Sequence, residues 1–195
     1  MNQRRNHPKK GSQIKVEPIR QIKDIQTIKK LLADKPRDLC LFTLGINTNL
    51  RASDLLNITA GRVRYMKPGD DLELKEKKTG KLRRVTLNKA CISAIRDLLA
   101  TRPYQDEYRL FQGQRGAITV SYLNRLVKGW AKAINLRGNY GSHTLRKTFG
   151  YIKHVEQGAS LPELMVCFNH STQRQTLDYL CIQEAAIRNI YMQEI

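Results

Sequence analysis

Residues 168–180 read FNHSTQRQTLDYL and contain two side chains able to do chemistry, His170 and Tyr179. A tyrosine at helical spacing is usually a packing residue, but the same side chain can also act as a nucleophile. The stretch alone is compatible with both interpretations. The choice depends on which reactive and charged residues accompany it elsewhere in the chain.

The composition is that of a basic protein with enough apolar residues for one core. The chain has 195 residues, of which 41% are hydrophobic, which suits a single domain of ordinary size. Lys and Arg number 35 against 17 Asp and Glu, so the formal net charge is +18. Because a compact domain with this excess repels itself, a polyanion is expected as partner, and nucleic acid is favoured over chance basicity.

The cysteines and the hydropathy of the chain predict where in the cell the protein is located. The four cysteines are far apart and lie among apolar neighbours, as in LCLF and MVCF, which is typical of buried reduced thiols rather than of disulfides or zinc ligands. No apolar run reaches the ~18 residues of a membrane span, and the basic start MNQRRNHPKKGSQIK lacks the apolar core of a secretory signal. We predict a cytoplasmic, bacterial nucleoid-associated protein without a membrane partner, in which residues 1–19 form a basic flexible arm.

Apolar periodicity predicts a mostly helical domain over residues 20–195. Apolar residues recur at helical spacing along most of the chain, Thr119 and Ser142 are suitable helix N-caps, and Gly158 is a suitable stop. The predicted helices cover residues 24–34, 36–50, 89–102, 119–135 and 142–158, with shorter ones at 160–168, 172–181 and 184–192.

Residues 57–88 have a different pattern. Short β-prone runs there are separated by the turn-like segments KPGDD and KKTGK. They predict a small antiparallel sheet of three strands at the edge of the domain. The predicted fold class is therefore α+β, mostly helical, with one small sheet.

Five segments together carry a recognisable set of side chains. They are NLRASDLLNI with Arg51, KKTGKLRRVTL with Lys78, HTLR with His143 and Arg146, NHSTQ with His170, and TLDYL with Tyr179. In this order and at these separations they resemble the catalytic domain of the tyrosine recombinases, the phage integrase family. The resemblance extends over about residues 20–190.

The chain departs from the family pattern in three places. Phe168 and Asn169 precede His170 where the family usually has Leu-Gly, and asparagine tolerates the left-handed backbone that this turn needs. The segment MKPGDD lengthens the hairpin, which leaves Lys75, Lys77 and Lys81 as alternatives to Lys78. Only about twenty residues precede the first predicted helix, so we expect the family's N-terminal core-binding domain to be absent, as in an isolated catalytic domain or a small stand-alone relative.

The resemblance implies a function as well as a fold. It implies a site-specific recombinase or integrase that cuts and rejoins double-stranded DNA through a 3′-phosphotyrosine intermediate, without a metal, ATP or another cofactor. It also implies self-association into a synaptic tetramer on DNA. The implied catalytic residues are Arg51 and Arg146 on the phosphate, His143 and His170 beside it, Lys78 as general acid and Tyr179 as nucleophile.

The residue types suit this chemistry on physical grounds. Planar guanidinium groups present paired donors that match phosphate oxygens, and His143 and Arg146, three residues apart, share one face of a helix. Histidine titrates near neutrality and can move a proton. The scattered histidines form no HExxH motif and no phosphate-binding glycine loop occurs, so the sequence predicts neither a metal site nor a nucleotide site.

Two other classes of protein compete with this interpretation. A non-catalytic DNA-binding module could retain the same fold, although such a module needs positive charge and not Tyr179. A basic RNA-binding protein would want exposed aromatic residues on its sheet, whereas aromatic residues make up only 7% of this chain. The tail LCIQEAAIRNIYMQEI is apolar enough to pack on its own domain or on a neighbouring protomer.

Overall fold

The computed structural model describes residues 15–78, 80–182, 191, 192 and 194. Its helices and strands confirm the predicted fold class, a mostly helical domain with small antiparallel sheets. Residues 1–14 of the arm predicted at 1–19 and most of the helix predicted at 184–192 lie outside the described residues. The helices are α1 Ile22–Leu31, α2 Pro36–Asn47, α3 Ala52–Leu55, α4 Ala60–Val63, α5 Lys89–Leu99, α6 Val120–Ala133, α7 Ser142–Val155, α8 Leu161–Phe168 and α9 Gln173–Leu180. The strands are β1 Asp71–Lys75, β2 Leu82–Thr86, β3 Gln112–Gly113 and β4 Gly116–Ala117.

Helix α2 lies at the centre of the main hydrophobic core. It begins with Pro36 at its first turn, where the missing N–H is no loss, and it packs against α5 and α7. Phe42 is fully buried and meets the edge of Trp130 from α6 at 5.8 Å between ring centroids. Gly45 allows α7 to approach closely, since a Cβ atom there would lie 2.5 Å from Leu145 Cδ1.

Strands β1 and β2 form an antiparallel hairpin, with Asp71 opposite Thr86 and Lys75 opposite Leu82. The prediction of a third strand in this sheet is wrong for the described residues. Its candidate run instead forms the helical turn α4, which buries Ala60 and Val63 together. Residues three apart share a face on a helix and point to opposite faces on a strand, so this burial selects the helix.

Helix α7 separates the main core from a second apolar cluster. This cluster consists of Leu164, Phe168, Leu180 and Ile182, packed by α8 and α9 against the far side of α7. Gly150 permits the contact, because a Cβ atom there would lie 2.5 Å from the Phe168 ring. Helices α8 and α9 are therefore fixed against the same helix that carries His143 and Arg146.

Helix caps set where these elements begin and end. Thr119 accepts a hydrogen bond from the Tyr122 N–H at the start of α6, as predicted. The prediction that Ser142 caps α7 is wrong: Gly141 is the cap residue, and its N–H donates to Thr144 Oγ1. After α8, Asn169 has φ 56° and ψ 48°, which confirms that asparagine supplies the left-handed turn before His170.

No helix in the described part of the chain combines the length and the apolar character needed to cross a membrane.

Candidate active site

The structure brings the six predicted site residues to one side of α7. Arg51 immediately precedes α3, and Lys78 lies in the turn between β1 and β2. His143 and Arg146 belong to the first turns of α7, His170 to the connection between α8 and α9, and Tyr179 to α9 itself. His143, His170 and Tyr179 line one cleft of about 740 Å³. The residues themselves come from five separate segments of the chain.

Arg146 is a fixed cation on α7, held by contacts with two neighbouring segments. Its side chain is almost entirely buried, at 4% exposure. Nη1 donates to the Asn49 carbonyl at 2.7 Å, Nη2 donates to the Phe168 carbonyl at 3.2 Å, and the guanidinium lies 5.1 Å over the Phe168 ring. Burial lowers the pKa of Arg146 to about 10. The group is still protonated at neutral pH, so it supplies positive charge in a place with little water.

Arg51 is held by a carboxylate of the neighbouring hairpin. Its Nη1 lies 2.5 Å from Glu76 Oε2, and Glu76 Oε1 accepts a hydrogen bond from Arg83 Nη1 at 3.0 Å. Arg83 in turn donates from Nη2 to the Cys167 carbonyl at the end of α8. One buried carboxylate thus connects Arg51, the hairpin and, through Arg83, the segment before His170.

Lys78 is exposed in the hairpin turn, and its segment is anchored by its neighbour. The Lys77 N–H donates to Asp54 Oδ1 at 2.9 Å, which fixes the strand end beside α3. The positive charge of Lys78 also contributes to lowering the pKa of His143. Lys75 at the end of β1 and Lys77 in the turn are also exposed, and the choice among the hairpin lysines stays a prediction.

Both histidines are biased toward the neutral form. Desolvation lowers the pKa of His143, and the charges of Arg146, Lys147, Lys78 and Arg51 lower it further. Desolvation, followed by the charges of Arg146 and Arg51, also lowers the pKa of His170. Neutral imidazole has one nitrogen that accepts and one that donates a hydrogen bond, so each histidine can receive or hold a proton at neutral pH.

His170 is oriented by a residue that sequence analysis did not assign to the site. Its Nδ1 lies 3.1 Å from Oγ1 of Thr176, which is fully buried on α9. The imidazole stacks on Phe168, with 5.1 Å between ring centroids and 19° between ring planes. Both contacts leave Nε2 as the ring nitrogen available to a ligand.

Tyr179 combines a packed ring with a hydroxyl that lies near the cations Arg146 and Arg51. Its ring centroid lies 5.1 Å from that of Phe168 and 5.3 Å from that of His170. The hydroxyl oxygen is buried and makes no well-formed hydrogen bond with the described residues. Burial raises the pKa of Tyr179, while the nearby Arg146, and then Arg51, act in the opposite direction. Packing residue and nucleophile are therefore compatible roles for this side chain.

Unused hydrogen-bonding capacity is concentrated at this site. Buried polar groups normally find partners, and exceptions often mark functional sites. Within the described ranges, every buried side-chain nitrogen or oxygen without a hydrogen bond belongs to this cluster, although Arg51 Nη1 keeps its ion pair with Glu76. These atoms are Asn49 Oδ1, Arg51 Nη1, Asp54 Oδ2, Arg83 Nε and Tyr179 Oη.

Sequence analysis missed Glu76, Arg83, Lys147 and Thr176. A signal for Glu76 was present, because Glu76, just after β1, continues the buried alternation of Leu72 and Leu74, and a charge facing inward needs a partner. Lys147 follows Arg146 in the motif HTLRKTF and is also buried. No comparable signal marks Arg83 or Thr176, whose contacts depend on how distant segments pack.

The arrangement suits an anion held between guanidinium groups beside a phenol. Arg51 and Arg146 present cationic donors, the histidines can move protons, and the Tyr179 hydroxyl lies at the same cleft. Among the residues that the structure describes, no three His, Cys, Asp or Glu side chains are grouped so that they could hold a metal ion.

Comparisons with known proteins identify the family of the chain. The sequence profile of the phage integrase family matches residues 18–185. The chain is 34% identical over 179 residues to the probable integrase/recombinase YoeC of Bacillus subtilis strain 168, covering 90% of this chain and 95% of that protein. It is 32% identical over 159 residues to the tyrosine recombinase XerC of Caldanaerobacter subterraneus subsp. tengcongensis, covering 79% of this chain and 44% of XerC.

The fold matches that of solved recombinases. The structure superposes on XerH site-specific recombinase, crystallised with a palindromic difH substrate as a post-cleavage complex, with a TM-score of 0.72 at 19% sequence identity. The match covers 92% of this chain and 53% of the XerH chain. The chain thus spans nearly all of YoeC but only about half of XerC and XerH.

Proposed function

The chain belongs to the phage integrase family of tyrosine recombinases, and we propose on this basis that it is a site-specific recombinase acting on double-stranded DNA. Residues 20–195 act as the catalytic domain, and cleavage proceeds through a 3′-phosphotyrosine intermediate. The observation that carries the proposal is the Tyr179 hydroxyl, which is buried beside Arg146 without a well-formed hydrogen bond. A protein that only binds DNA could use the packed ring but has no use for a buried hydroxyl group in that position.

The phosphate is held by the two arginines. Arg51 and Arg146 donate to the non-bridging oxygens and neutralise the charge that develops on the pentacoordinate phosphorus. Arg146 is suited to this because its two carbonyl contacts fix the plane of its guanidinium. Arg51 exchanges its ion pair with Glu76, wholly or in part, for the phosphate. The Nε2 atom of His170 donates a further hydrogen bond to a phosphate oxygen.

Tyr179 supplies the nucleophile. Its oxygen forms a bond to phosphorus, and its proton passes to His143, which can accept it because its lowered pKa keeps the imidazole neutral at pH 7. Arg146 and Arg51 favour the phenolate that develops, against the effect of burial. The phosphate stays attached to the 3′ side of the cut and becomes a phosphotyrosine diester.

Lys78 completes the exchange of bonds by protonating the departing 5′-oxygen as its bond to phosphorus breaks. The new diester keeps the energy of the old one, so a 5′-hydroxyl can attack the phosphotyrosine and rejoin the strand. Every proton and charge in this sequence is handled by protein side chains. The proposed reaction therefore proceeds without a metal ion or a nucleotide, and EDTA is expected to leave it unchanged.

Binding of DNA follows from charge. A net charge of +18 predicts that the logarithm of the binding constant falls steeply and linearly with the logarithm of salt concentration. Recombination between two duplexes requires protomers on both, and we propose that they assemble into a synaptic tetramer on DNA. Analytical ultracentrifugation with and without DNA tests the assembly: a species that stays monomeric on DNA contradicts it.

The deciding experiment is a covalent trap. Supercoiled plasmid is incubated with the protein, denatured, and examined for relaxation and for protein that remains attached to DNA. Tyr179→Phe should abolish both, while Tyr151→Phe should keep them, because Tyr151 packs against the same apolar cluster without facing the cations of the site. DNA binding without attached protein in the wild type would identify a non-catalytic DNA-binding module that retains the fold.

A further inference from the structure

Lys147 is a buried cation next to the proposed nucleophile that the mechanism above does not use. It follows Arg146 on α7 and is only 5% exposed. Its Nζ lies 4.9 Å from the ring centroid of Tyr179 and 3.5 Å from Cys181 Sγ. No carboxylate lies within ion-pair distance of it in the described part of the chain. Lysines are almost never buried without a partner, so this position calls for an explanation.

We propose that Lys147 is a positioning residue for Tyr179, which holds the phenol ring against α7 and supplies positive charge that favours the attacking phenolate. This inference rests on the proposed function, because it assigns Lys147 to the same reaction. It deepens that proposal by separating two tasks. The arginines serve chiefly the phosphate, with a secondary effect on the phenolate, and the lysine serves the nucleophile alone.

The position of the Lys147 ammonium affects the neutral and the ionised form of Tyr179 to different extents. A cation near an aromatic ring is attracted by the π electrons, which steadies the ring before reaction. When Tyr179 loses its proton, negative charge spreads from the oxygen into the ring, and the attraction becomes one between full charges in surroundings poor in water. The ammonium therefore stabilises the ionised tyrosine more than the neutral one, which is the condition for accelerating attack.

The arginines cannot replace this charge during cleavage. Arg146 directs its nitrogens to the carbonyls of Asn49 and Phe168, and Arg51 is paired with Glu76. In the proposed reaction both also contact the phosphate, whose negative charge offsets theirs. Lys147 approaches the ring of the tyrosine and so remains a net positive neighbour of the nucleophile.

Cys181 fixes the direction of the lysine. It ends α9 in a left-handed conformation with φ 59°, two residues after Tyr179, and its sulfur accepts a hydrogen bond from Lys147 Nζ. The lysine thus bridges α7 to the end of the helix that carries the nucleophile.

Several other titratable groups face the phenol or the lysine. Their titration could also change the cleavage rate with pH, so the effect of Lys147 must be distinguished from theirs. They are Lys15 before α1, Arg51 before α3, His143 and Arg146 on α7, His170 after α8, Arg174 and Asp178 on α9, and Cys181 after it. The neighbouring His143 lies on the same helix and feels the lysine directly, since the charge of Lys147 helps to lower its pKa. The test therefore compares variants at one position and includes a control elsewhere on α7.

The experiment measures the rate of covalent complex formation as a function of pH, from about 6 to about 9.5, with protein in excess so that all DNA is bound. Lys147→Met removes the charge and keeps the volume, and Lys147→Arg keeps the charge. Lys153→Met is the matched control, because Lys153 lies on the same helix with its Nζ 6.0 Å from the Phe149 ring. DNA affinity is measured separately by fluorescence anisotropy.

The inference predicts that the pH profile of cleavage shifts, and not only that the rate falls. Lys147→Met should move the rising part of the profile up by about one pH unit and so slow cleavage by roughly tenfold at pH 7. Lys147→Arg should restore most of the rate, and Lys153→Met should match the wild type. Both methionine variants lose one positive charge, so their DNA affinities should fall equally.

Three outcomes would overturn it: an unchanged rate in Lys147→Met, a rate lowered by the same factor at every pH, or no recovery in Lys147→Arg. If thermal unfolding shows that the methionine variant does not fold, Lys147→Gln takes its place with the same criteria. Tyr179→Phe keeps the two proposals apart. If Tyr179→Phe abolishes cleavage and Lys147→Met keeps the wild-type profile, only the present inference fails.

Discussion

The guanidinium of Arg51 and the carboxylate of Glu76 form a buried ion pair, with 2.5 Å between Nη1 and Oε2. Glu76 follows β1 and is two residues from Lys78, so the pair joins the proposed phosphate ligand to the hairpin that carries the proposed general acid. Arg83 from β2 shares the same carboxylate. The hairpin and the phosphate site are therefore mechanically connected through one acidic side chain.

The pair leads to a prediction for Glu76→Gln. Glutamine keeps the shape but leaves two partly buried guanidinium groups without this counter-ion, so the free energy of unfolding should fall by about 2 kcal/mol. Arg51 no longer has a carboxylate to exchange for phosphate, so DNA binding should tighten roughly three- to tenfold. Cleavage per bound DNA should decrease because Arg51 loses its fixed direction. Urea unfolding, anisotropy and covalent trapping measure the three effects.

Glu73→Gln is the control for that prediction. Glu73 lies on β1, three residues before Glu76, and pairs with Arg84 on the protein surface, at 2.6 Å between Oε1 and Nη2. It changes the net charge by the same amount, and a surface pair contributes little to stability. If the two variants bind and cleave DNA alike, net charge explains the effect and the special role of Glu76 is wrong.

Local patterns predicted the parts of the site that lie within one segment. The His143–Arg146 spacing on one helix and the left-handed Asn169 before His170 both depend on a few neighbouring residues, and both are found. The relation of Glu76 to Arg51 could not be predicted in the same way. It needs the hairpin and the start of α3 to pack together, and no periodicity specifies that contact.

The errors of prediction have the same physical origin. Residues 57–65 have β-prone side chains, but the packing of Ala60 and Val63 into the core selects a helical turn. At α7, the Ser142 hydroxyl was a reasonable cap, yet Thr144 performs the capping contact with Gly141 and Asn124 Oδ1 accepts from the Ser142 N–H. In each case tertiary contacts decided between local alternatives of similar free energy.

Lysine is expected to fail as a replacement for Arg146. The arginine uses two separate nitrogens for the carbonyls of Asn49 and Phe168 and stacks on the Phe168 ring. A single ammonium can neither fill both positions nor present paired donors to phosphate. Arg146→Lys should bind DNA and lose about 10²–10³ in cleavage rate.

Arg51→Lys should fail for the same reason, and Arg174→Lys provides the control because Arg174 is exposed at the edge of the same cleft. Single-turnover cleavage measured at saturating protein separates catalysis from binding. Near-normal rates in both site variants would remove these arginines from the mechanism.

The pH dependence at the acid side should report His143. Desolvation and the nearby cations lower the pKa of His143 below the ordinary histidine value of about 6.5. A group that must be neutral to accept a proton loses activity as pH falls through its own pKa. Protonation of His143 should therefore cost no cleavage rate above pH ~6.5, and the logarithm of the rate should fall more steeply with decreasing pH only below it.

The lowered pKa of His143 also makes the free energy of unfolding depend on pH. The folded protein binds fewer protons than the unfolded chain between the lowered pKa and about pH 6.5, so stability decreases as pH falls through that window and is unaffected above it. Urea unfolding of wild type and His143→Gln over this range tests the effect. The difference between them should depend on pH only below about 6.5; a difference confined to alkaline pH contradicts the assignment.

Lys78 can be tested as general acid by changing the leaving group. An alkoxide leaves poorly without a proton, so Lys78→Ala should slow cleavage of ordinary DNA by ~10²–10⁴. A thiol is far more acidic than an alcohol, so a 5′-bridging phosphorothiolate needs no proton donor and should restore most of the rate. Arg146→Ala should not be rescued, because its role is to stabilise charge.

Lys75→Ala and Lys77→Ala are matched controls, since both lysines are exposed on the same hairpin as Lys78. Neither should slow ordinary cleavage severely, and neither should gain from the sulfur substrate. If the sulfur substrate rescues one of these variants and not Lys78→Ala, that lysine is the general acid and the rest of the mechanism is unchanged. If none of these variants is rescued, Lys81→Ala is measured on the same phosphorothiolate; if it also fails, the proton comes from outside the hairpin, and His143→Ala would be the next variant.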